Sequence, residues 1–291
     1  MSPNPYYLRQ SGSKEEDVWI AMSPEAPLQQ LIVGSDDVAV ELMTNGVAVV
    51  EIRRPPNNFF DVSLIEGIAG VLHTLQDHRD VRSVVLASHG KHFCAGADFA
   101  GTSGAAEVSA DEGARALYTA AVKLFECELP LVAAVQGAAI GGGLGLALAA
   151  DFRVASEETS FSANFSRLGL HHGFGLTVSL PRVVGHQHAA DLLMTGRRVD
   201  GCEAFRIGLV DRLVDRDSIR PFAISFAEEL AAAAPLALQS IRKTLRARLA
   251  EDVAQATEHE RSEQAWLRRT DDFAEGVRAS SERRNPVFTG R

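Results

Sequence analysis

From Val38 onward the apolar and polar positions fall into a regular succession of short runs and longer periodic segments. "VAVELMTNGVAVVEIRR" (38–54) holds two β-type runs around Asn45-Gly46, a pairing that favours a tight hairpin turn. In "DVSLIEGIAGVLHTLQDH" (61–78) the residues Leu64, Ile65, Ile68, Val71, Leu72 and Leu75 recur at helical spacing, with Asp61 placed to cap the start. "SVVLAS" (83–88) reads as a buried strand and is followed by the loop "HGKHFCAGADFAGTSG". A second helix is predicted through "ARALYTAAVKLFECE", and Pro130 separates it from the strand "LVAAVQG". After the glycines of "AAIGGGLGLALAAD" (138–151) come a helix and the strand-like "DFRVAS". Apart from the short strand "LVDRLV", the remainder reads as helices, closing on the charged, amphipathic "DVAQATEHERSEQAWLRRTDDFAEGVRASSERR". Strands alternating with helices predict an α/β fold with mostly parallel pairing, followed by a helical C-terminal region. One unit is expected: an arm over 1–35, a core over 36–220 and C-terminal helices over 221–291. The arm carries Pro3, Pro5, Pro24 and Pro27 and little periodicity, so it reads as an extended or partly disordered lead-in.

Composition narrows the function classes. The 291 residues are 46% hydrophobic and 23% charged, as in soluble proteins with a sizeable core. No run reaches the roughly 18 apolar residues of a membrane span, and the first twenty residues lack the apolar core of a signal peptide. A net charge of −9 argues against a general nucleic-acid role. Cys94, Cys127 and Cys202 lack metal-ligand spacing, and three cysteines fit no disulfide framework, so a cytoplasmic setting is expected.

The run Gly141-Gly142-Gly143 at a strand-to-helix junction raises the question of phosphate binding. A dinucleotide fingerprint requires G-x-G-x-x-G; counted from Gly141 the third glycine falls on Leu146, and from Gly143 on Leu148. No lysine is present for a P-loop, and G-x-S-x-G and H-E-x-x-H are absent from the chain. Close helix-on-strand packing accounts for such glycines equally well. The loop "HFCAGAD" (92–98) also follows a strand and is also built of small residues. Two such loops can aim backbone N–H groups at one point and stabilise a developing negative charge.

"HFCAGAD" followed by "VQGAAIGGGLGLALAAD" resembles the enoyl-CoA hydratase/isomerase, or crotonase, superfamily. The likeness runs from about Val38 to the C-terminus and takes in "RRPPNNFF", "FSANFSRLGL", "TGRRVDGCEAFRIGLVDRLV" and "ERRNPVFTG". It implies a crotonase-like ββα spiral core, a coenzyme A thioester as substrate, no permanently bound cofactor and no metal. It also implies a homotrimer or a dimer of trimers built through the C-terminal helices. By position, the thioester carbonyl is expected between the N–H groups of Ala97 and Gly142. Ala95, Gly96, Asp98, Gly141 and Asn57 belong to the CoA and loop side, with the Ala95 carbonyl set to receive the adenine amine.

Departures from the family pattern are equally informative. Hydratases of the family hold glutamates where this chain has Gly145 and Phe165, and some relatives hold an aspartate where it has Gly173. Neither glycine nor phenylalanine moves a proton, so simple hydration of an enoyl-CoA is not expected. Isomerisation, decarboxylation or cleavage of a β-keto bond would use the same oxyanion site. His171 and His172 lie in the segment lining the acyl end of the pocket in relatives and are candidate proton carriers. They leave open a β-diketone hydrolase; a non-catalytic acyl-CoA-binding oligomer is a third alternative. Asp98 reads as a loop-supporting acid, His89 and His92 as rim residues, and Cys94 and Tyr118 as packed side chains. Lys243, Arg246 and Arg248 suit either CoA phosphates or a solvated basic face.

Overall fold

The computed structural model describes residues 7–10, 18–21, 36–97 and 107–291, with side chains for 36–97 and 112–291. In the lead-in, β1 (Tyr7–Gln10) and β2 (Val18–Ala21) pair antiparallel. The rest of the expected arm lies outside the described residues.

β3 (Val38–Leu42) and β4 (Val47–Ile52) form the expected hairpin, and Gly46 adopts the left-handed φ of +85° that the turn demands. α1 (Val62–Gln76) starts at Asp61, whose Oδ1 accepts from the Leu64 N–H at 2.9 Å. Then follow β5 (Ser83–Ser88), α2 (Glu107–Glu126), β6 (Leu131–Val135), β7 (Ala138–Ile140), α3 (Gly142–Ala149), β8 (Phe152–Ala155) and β9 (Ser160–Ser162). α4 (Leu176–Thr195), β10 (Arg198–Val199), α5 (Gly201–Arg206) and β11 (Arg212–Leu213) lead into the C-terminal helices α6 (Ile219–Ala231), α7 (Pro235–Leu245), α8 (Leu249–Leu267) and α9 (Asp271–Ser281).

The main sheet has the order β11-β8-β6-β5-β4-β3 and is parallel except for the β3–β4 hairpin. Its central strands are buried on both faces, which explains their largely apolar runs. Val47, Val49, Val85, Ala87 and Val132 meet Ala223 and Phe226 of α6. The alternate residues Val50, Ile52, Val84, Leu86 and Ala133 belong to the core shared with α1 and α2.

A second sheet, β10-β9-β7, departs from the sequence reading. The run "LVAAVQG" ends its strand at Val135, and the chain then crosses into β7 of this other sheet. Its strands are two or three residues long, too short to show a period of two. The crossing places the β7–α3 glycines beside the loop that follows β5.

α8 packs along α2 and α4, burying Val253, Thr257, Glu260 and Gln264 on one stripe. α7 is anchored by Asp151, which accepts from Arg242 at 2.7 Å and from Arg246 at 2.8 Å. The sequence reading offered Arg246 to CoA phosphates or to solvent; the structure corrects this, because its guanidinium is buried on Asp151 and on the Ala149 carbonyl. Among the described residues no single helix is long and apolar enough to cross a membrane.

Candidate active site

The site begins with a ladder of backbone hydrogen bonds that a loop of small residues can enter. The Phe93 and Cys94 N–H groups donate to the Gln136 and Ala138 carbonyls at 2.8 and 3.0 Å, and Ile140 N–H returns to the Cys94 carbonyl at 3.0 Å. On the other side, Ala95 N–H donates to Asn57 O at 2.9 Å and Phe60 N–H to Gly96 O at 3.0 Å. Residues 93–96 are thus stitched between the chain entering α3 and the "PPNNFF" turn. Gly96 turns the backbone at φ +93°, where a Cβ would stand only 3.0 Å from the Ile140 carbonyl. Among the described residues the Ala97 N–H has no acceptor.

A second amide without a helical acceptor comes from α3. Gly142 is the first residue of that helix, so its N–H lacks an acceptor within the helix. Gly141 precedes it at φ +58°, its own N–H held by the Ser162 carbonyl at 2.7 Å. A Cβ on Gly142 would collide with the Phe60 ring, and one on Gly143 with the Cys94 carbonyl. Close packing therefore requires glycine at both positions. The absence of side chains lets α3 close onto the β5 loop, and Ala97 and Gly142 line one cavity.

That cavity measures about 570 Å³. Ala95, Gly96 and Ala97 line it with Gly141 and Gly142, which brings five of the expected residues together. Its body is apolar, formed by Phe60, Phe165, Leu168 and Phe174 among others. Phe174 occupies the space beside Gly145: a Cβ there would lie 2.7 Å from the ring's Cδ1. Phe165 also lines the cavity. Beside Gly173 the space is taken by the Tyr118 hydroxyl and by Gln264 Nε2, the latter 2.8 Å from where a Cβ would stand. Glu282 lines the cavity as well, but it is exposed and ion-paired with Arg284.

The remaining expected residues fall elsewhere. Asn57 acts through its carbonyl on Ala95 and does not line the cavity. Asp98 lies outside the described residues. His171 and His172 do not line the cavity either; their rings stack at 4.1 Å in the seam facing α8. His171 Nδ1 lies 2.8 Å from the His172 carbonyl. His172 Nε2 lies 2.9 Å from Thr177 Oγ1, whose hydroxyl donates to Glu260 at 2.6 Å. Burial, with the neighbouring His171 and His259, presses the His172 imidazole down to about 4. The Glu260 carboxyl, fully buried, is held above its usual value by desolvation, although it accepts from the Gly175 and Thr177 N–H groups at 2.9 and 3.0 Å. These side chains form a brace that fixes the 171–177 turn, and with it Phe174.

Cys94 is fully buried and its thiol is pushed up to about 12 by desolvation, which leaves it a packing residue. His92 is lowered, by burial first and then by nearby cations. Among the described residues no cluster of three His, Cys, Asp or Glu could hold a metal ion.

Two positioning residues were missed by sequence reasoning. Asn58 is fully buried; its Oδ1 accepts from Arg54 N–H at 2.9 Å, and its Nδ2 donates to the His89 and His92 carbonyls at 2.8 and 2.6 Å. It thereby fixes the first loop to the "RRPPNN" turn, at a left-handed φ of 50° that asparagine tolerates. Gln264 joins Tyr118, whose hydroxyl donates to it at 3.0 Å, to the His171 carbonyl, to which it donates at 2.9 Å. The polar stripe Thr257, Glu260, Gln264 at helical spacing was a usable signal for a buried face.

Comparison with known proteins gives a consistent result. A family model described as enoyl-CoA hydratase/isomerase matches residues 43–291. A carnitinyl-CoA dehydratase of Citrobacter koseri is 31% identical over 247 residues, covering 83% of this chain and 94% of the relative. Among solved structures, an enoyl-CoA hydratase/isomerase from Pseudoalteromonas atlantica superposes with a TM-score of 0.77 at 30% identity, covering 87% of this chain and all 100% of that one. An enoyl-CoA hydratase from Mycobacterium avium gives a TM-score of 0.75 at 28% identity, covering 87% and 98%.

Proposed function

Because this chain belongs to the enoyl-CoA hydratase/isomerase family, we propose that it is an acyl-CoA enzyme that stabilises a thioester enolate between the Ala97 and Gly142 amides, in a reaction other than simple hydration. One observation carries this reading. Ala97 and Gly142 line one largely apolar cavity, and the two positions that the family resemblance assigns to hydratase glutamates carry Gly145 and Phe165. Each oxyanion donor contributes about 2.7–4 kcal/mol to a transition state that places charge on the carbonyl oxygen. A missing general acid or base costs roughly 10²–10⁴ in rate. Loss of both carboxylates, about 5–11 kcal/mol, is of the same size as what two donors supply, about 5–8 kcal/mol, and it falls on hydration, which must activate water and move a proton at the α-carbon. Generating an enolate by cleaving a bond to the α-carbon uses the donors fully and needs one fewer acid–base group. A lyase or isomerase step fits the site best.

The diketone-hydrolase alternative needs an imidazole in the cavity, and neither His171 nor His172 lines it. The Ala95 carbonyl and the Asn57 turn would face the adenine end of coenzyme A, with no permanently bound cofactor required. The exposed Leu236, Ile241 and Leu245 of α7 support assembly into a homotrimer or a dimer of trimers. Three free thiols, two of them buried, fit a reducing compartment such as the cytoplasm.

A crotonyl-CoA hydration assay beside a panel of 2-carboxyacyl- and 3-oxoacyl-CoA thioesters tests the reading. The expected result is slow or no hydration with turnover elsewhere in the panel. Hydration at ordinary hydratase speed would refute it.

A further inference from the structure

The proposed enolate must be protonated to become product, and the cavity wall narrows the choice of donor. Of its described lining residues, the ionisable ones are Tyr118, Arg268, Arg278 and Glu282. Glu282 and Arg278 are ion-paired, with Arg284 and Glu275 respectively. Arg268 stays charged at any working pH and carries no exchangeable role as an acid. Tyr118 is different. It is buried on α2, its ring seated among the lining residues, and its hydroxyl enters the space left open by Gly173. Gly173 precedes Phe174, whose ring packs against Gly142, and Tyr118, Ala97 and Gly142 line the same cavity.

Resting on the enolate reading above, we propose that Tyr118 is the proton donor of this enzyme: its hydroxyl delivers a proton to the α-carbon of the thioester enolate held by Ala97 and Gly142. In that step the Tyr118 O–H bond breaks and a Cα–H bond forms. The enolate's electron pair goes into the new C–H bond, and the oxyanion returns to a thioester carbonyl. The phenolate left behind takes a proton from water, releasing hydroxide. Two surroundings suit the hydroxyl to this task. Gln264 holds it at 3.0 Å and is itself fixed to the His171 carbonyl. Desolvation holds the phenol above its ordinary range, which keeps it protonated as a donor and makes it a scarce base. The assignment also gives the reaction a direction. A cavity furnished with an acid and lacking a ready base suits an enolate born from cleavage of a carbon–carbon bond at the α-carbon, rather than from removal of an α-proton.

Microscopic reversibility supplies the test. Acetyl-, butyryl- and hexanoyl-CoA are incubated with the full-length protein in deuterium oxide, and α-deuterium uptake is followed by mass spectrometry between about pH 7 and 9. The wild type is expected to exchange at a rate that rises about tenfold per pH unit, because the phenolate is the base in this direction. Tyr118→Phe, which removes a single oxygen, is expected to lose about 10²-fold or more of that rate, with the calorimetric affinity for butyryl-CoA held within about threefold. Tyr118 is one of three tyrosines, the others being Tyr6 and Tyr7 in the lead-in. Biosynthetic fluorotyrosine therefore tests the same oxygen without truncation, and its more acidic phenol moves the rising profile to lower pH. Unimpaired exchange in Tyr118→Phe, a weaker affinity with an unchanged rate at saturation, or a fluorotyrosine profile that does not move overturns the assignment while leaving the enolate reading intact. Binding without exchange in the wild type overturns both.

Discussion

On the proposed reading, Gly145→Glu returns a carboxylate to a position that the family resemblance assigns to a hydratase glutamate, and the structure predicts that the protein cannot accept it. Gly145 is buried in α3, and a Cβ there would lie 2.7, 2.8 and 3.0 Å from Cδ1, Cβ and Cγ of Phe174. Phe174 has little room to retreat. Its ring centroid is 5.4 Å from that of Phe60, and the next residue, Gly175, is held by Glu260 at 2.9 Å. Overpacking of this kind costs about 1–3 kcal/mol, and burying a neutral carboxyl without a partner adds about 1–3 kcal/mol. The sum, roughly 2–6 kcal/mol, lowers the melting temperature by about 5–20 °C for a chain of this size. The variant is also expected to hydrate crotonyl-CoA no faster than the wild type. Phe174→Gly removes the obstructing ring at a cost of about 3–5 kcal/mol, of which relief of the left-handed φ of 62° returns about 1–2 kcal/mol. The double variant is then expected to be more stable than the two single costs imply, by about 1–3 kcal/mol. Thermal unfolding by circular dichroism, run on all four proteins of the cycle, measures this coupling. A Gly145→Glu variant melting within about 2 °C of wild type, or strictly additive costs, would refute the assignment of Phe174 to the carboxylate's place.

Two further outcomes follow from the brace and the loop. His172 titrates near 6.5 in the unfolded chain and about 4 in the fold. Between those values the unfolded state binds the extra proton, so stability rises with pH across this window and falls on acidification from 6.5 toward 4, by up to about 3 kcal/mol. His171 stacks on the His172 ring and is itself met edge-on by His259, and Glu260, its carboxyl raised by burial, pulls stability the opposite way as pH rises. Urea unfolding of wild type and His172→Gln at pH 7 and 5 isolates the term: the variant should lose less stability between the two. Asn58→Ala should leave the His89 and His92 carbonyls unsatisfied, at about 1–3 kcal/mol. It should also weaken butyryl-CoA binding in calorimetry, because Ala95 and Gly96 lose the anchor of their loop.

How much of this was legible depended on how far apart the deciding residues stand. The hairpin at Asn45-Gly46, the helix after Asp61 and the buried strands of the main sheet are local matters, set by turn chemistry and periodicity, and the structure reproduces them. The pairing of the Ala97 and Gly142 loops was visible because both motifs consist of small residues after strands. The second sheet was not, because strands of two or three residues carry no pattern. His171 and His172 were expected at the reacting centre, yet their setting depends on Glu260 of α8, 83 residues beyond Thr177. Arg246 was read as a ligand for CoA or a solvated charge, while its partner Asp151 lies 95 residues away. Tyr118 was read as packed, and it is; its hydroxyl enters the cavity only because Gly173, far along the chain, leaves it room.

The central claim is that two backbone amides polarise a thioester carbonyl, and vibrational spectroscopy reads that bond directly. Butyryl-CoA labelled with carbon-13 at the thioester carbonyl gives an isotope-edited infrared band separable from those of the protein. Binding is predicted to shift that band to lower frequency, as two short N–H donors draw electron density toward the oxygen. The shift should persist in Tyr118→Phe, which leaves both amides in place. A bound thioester whose carbonyl band stays at its frequency in water would contradict the account.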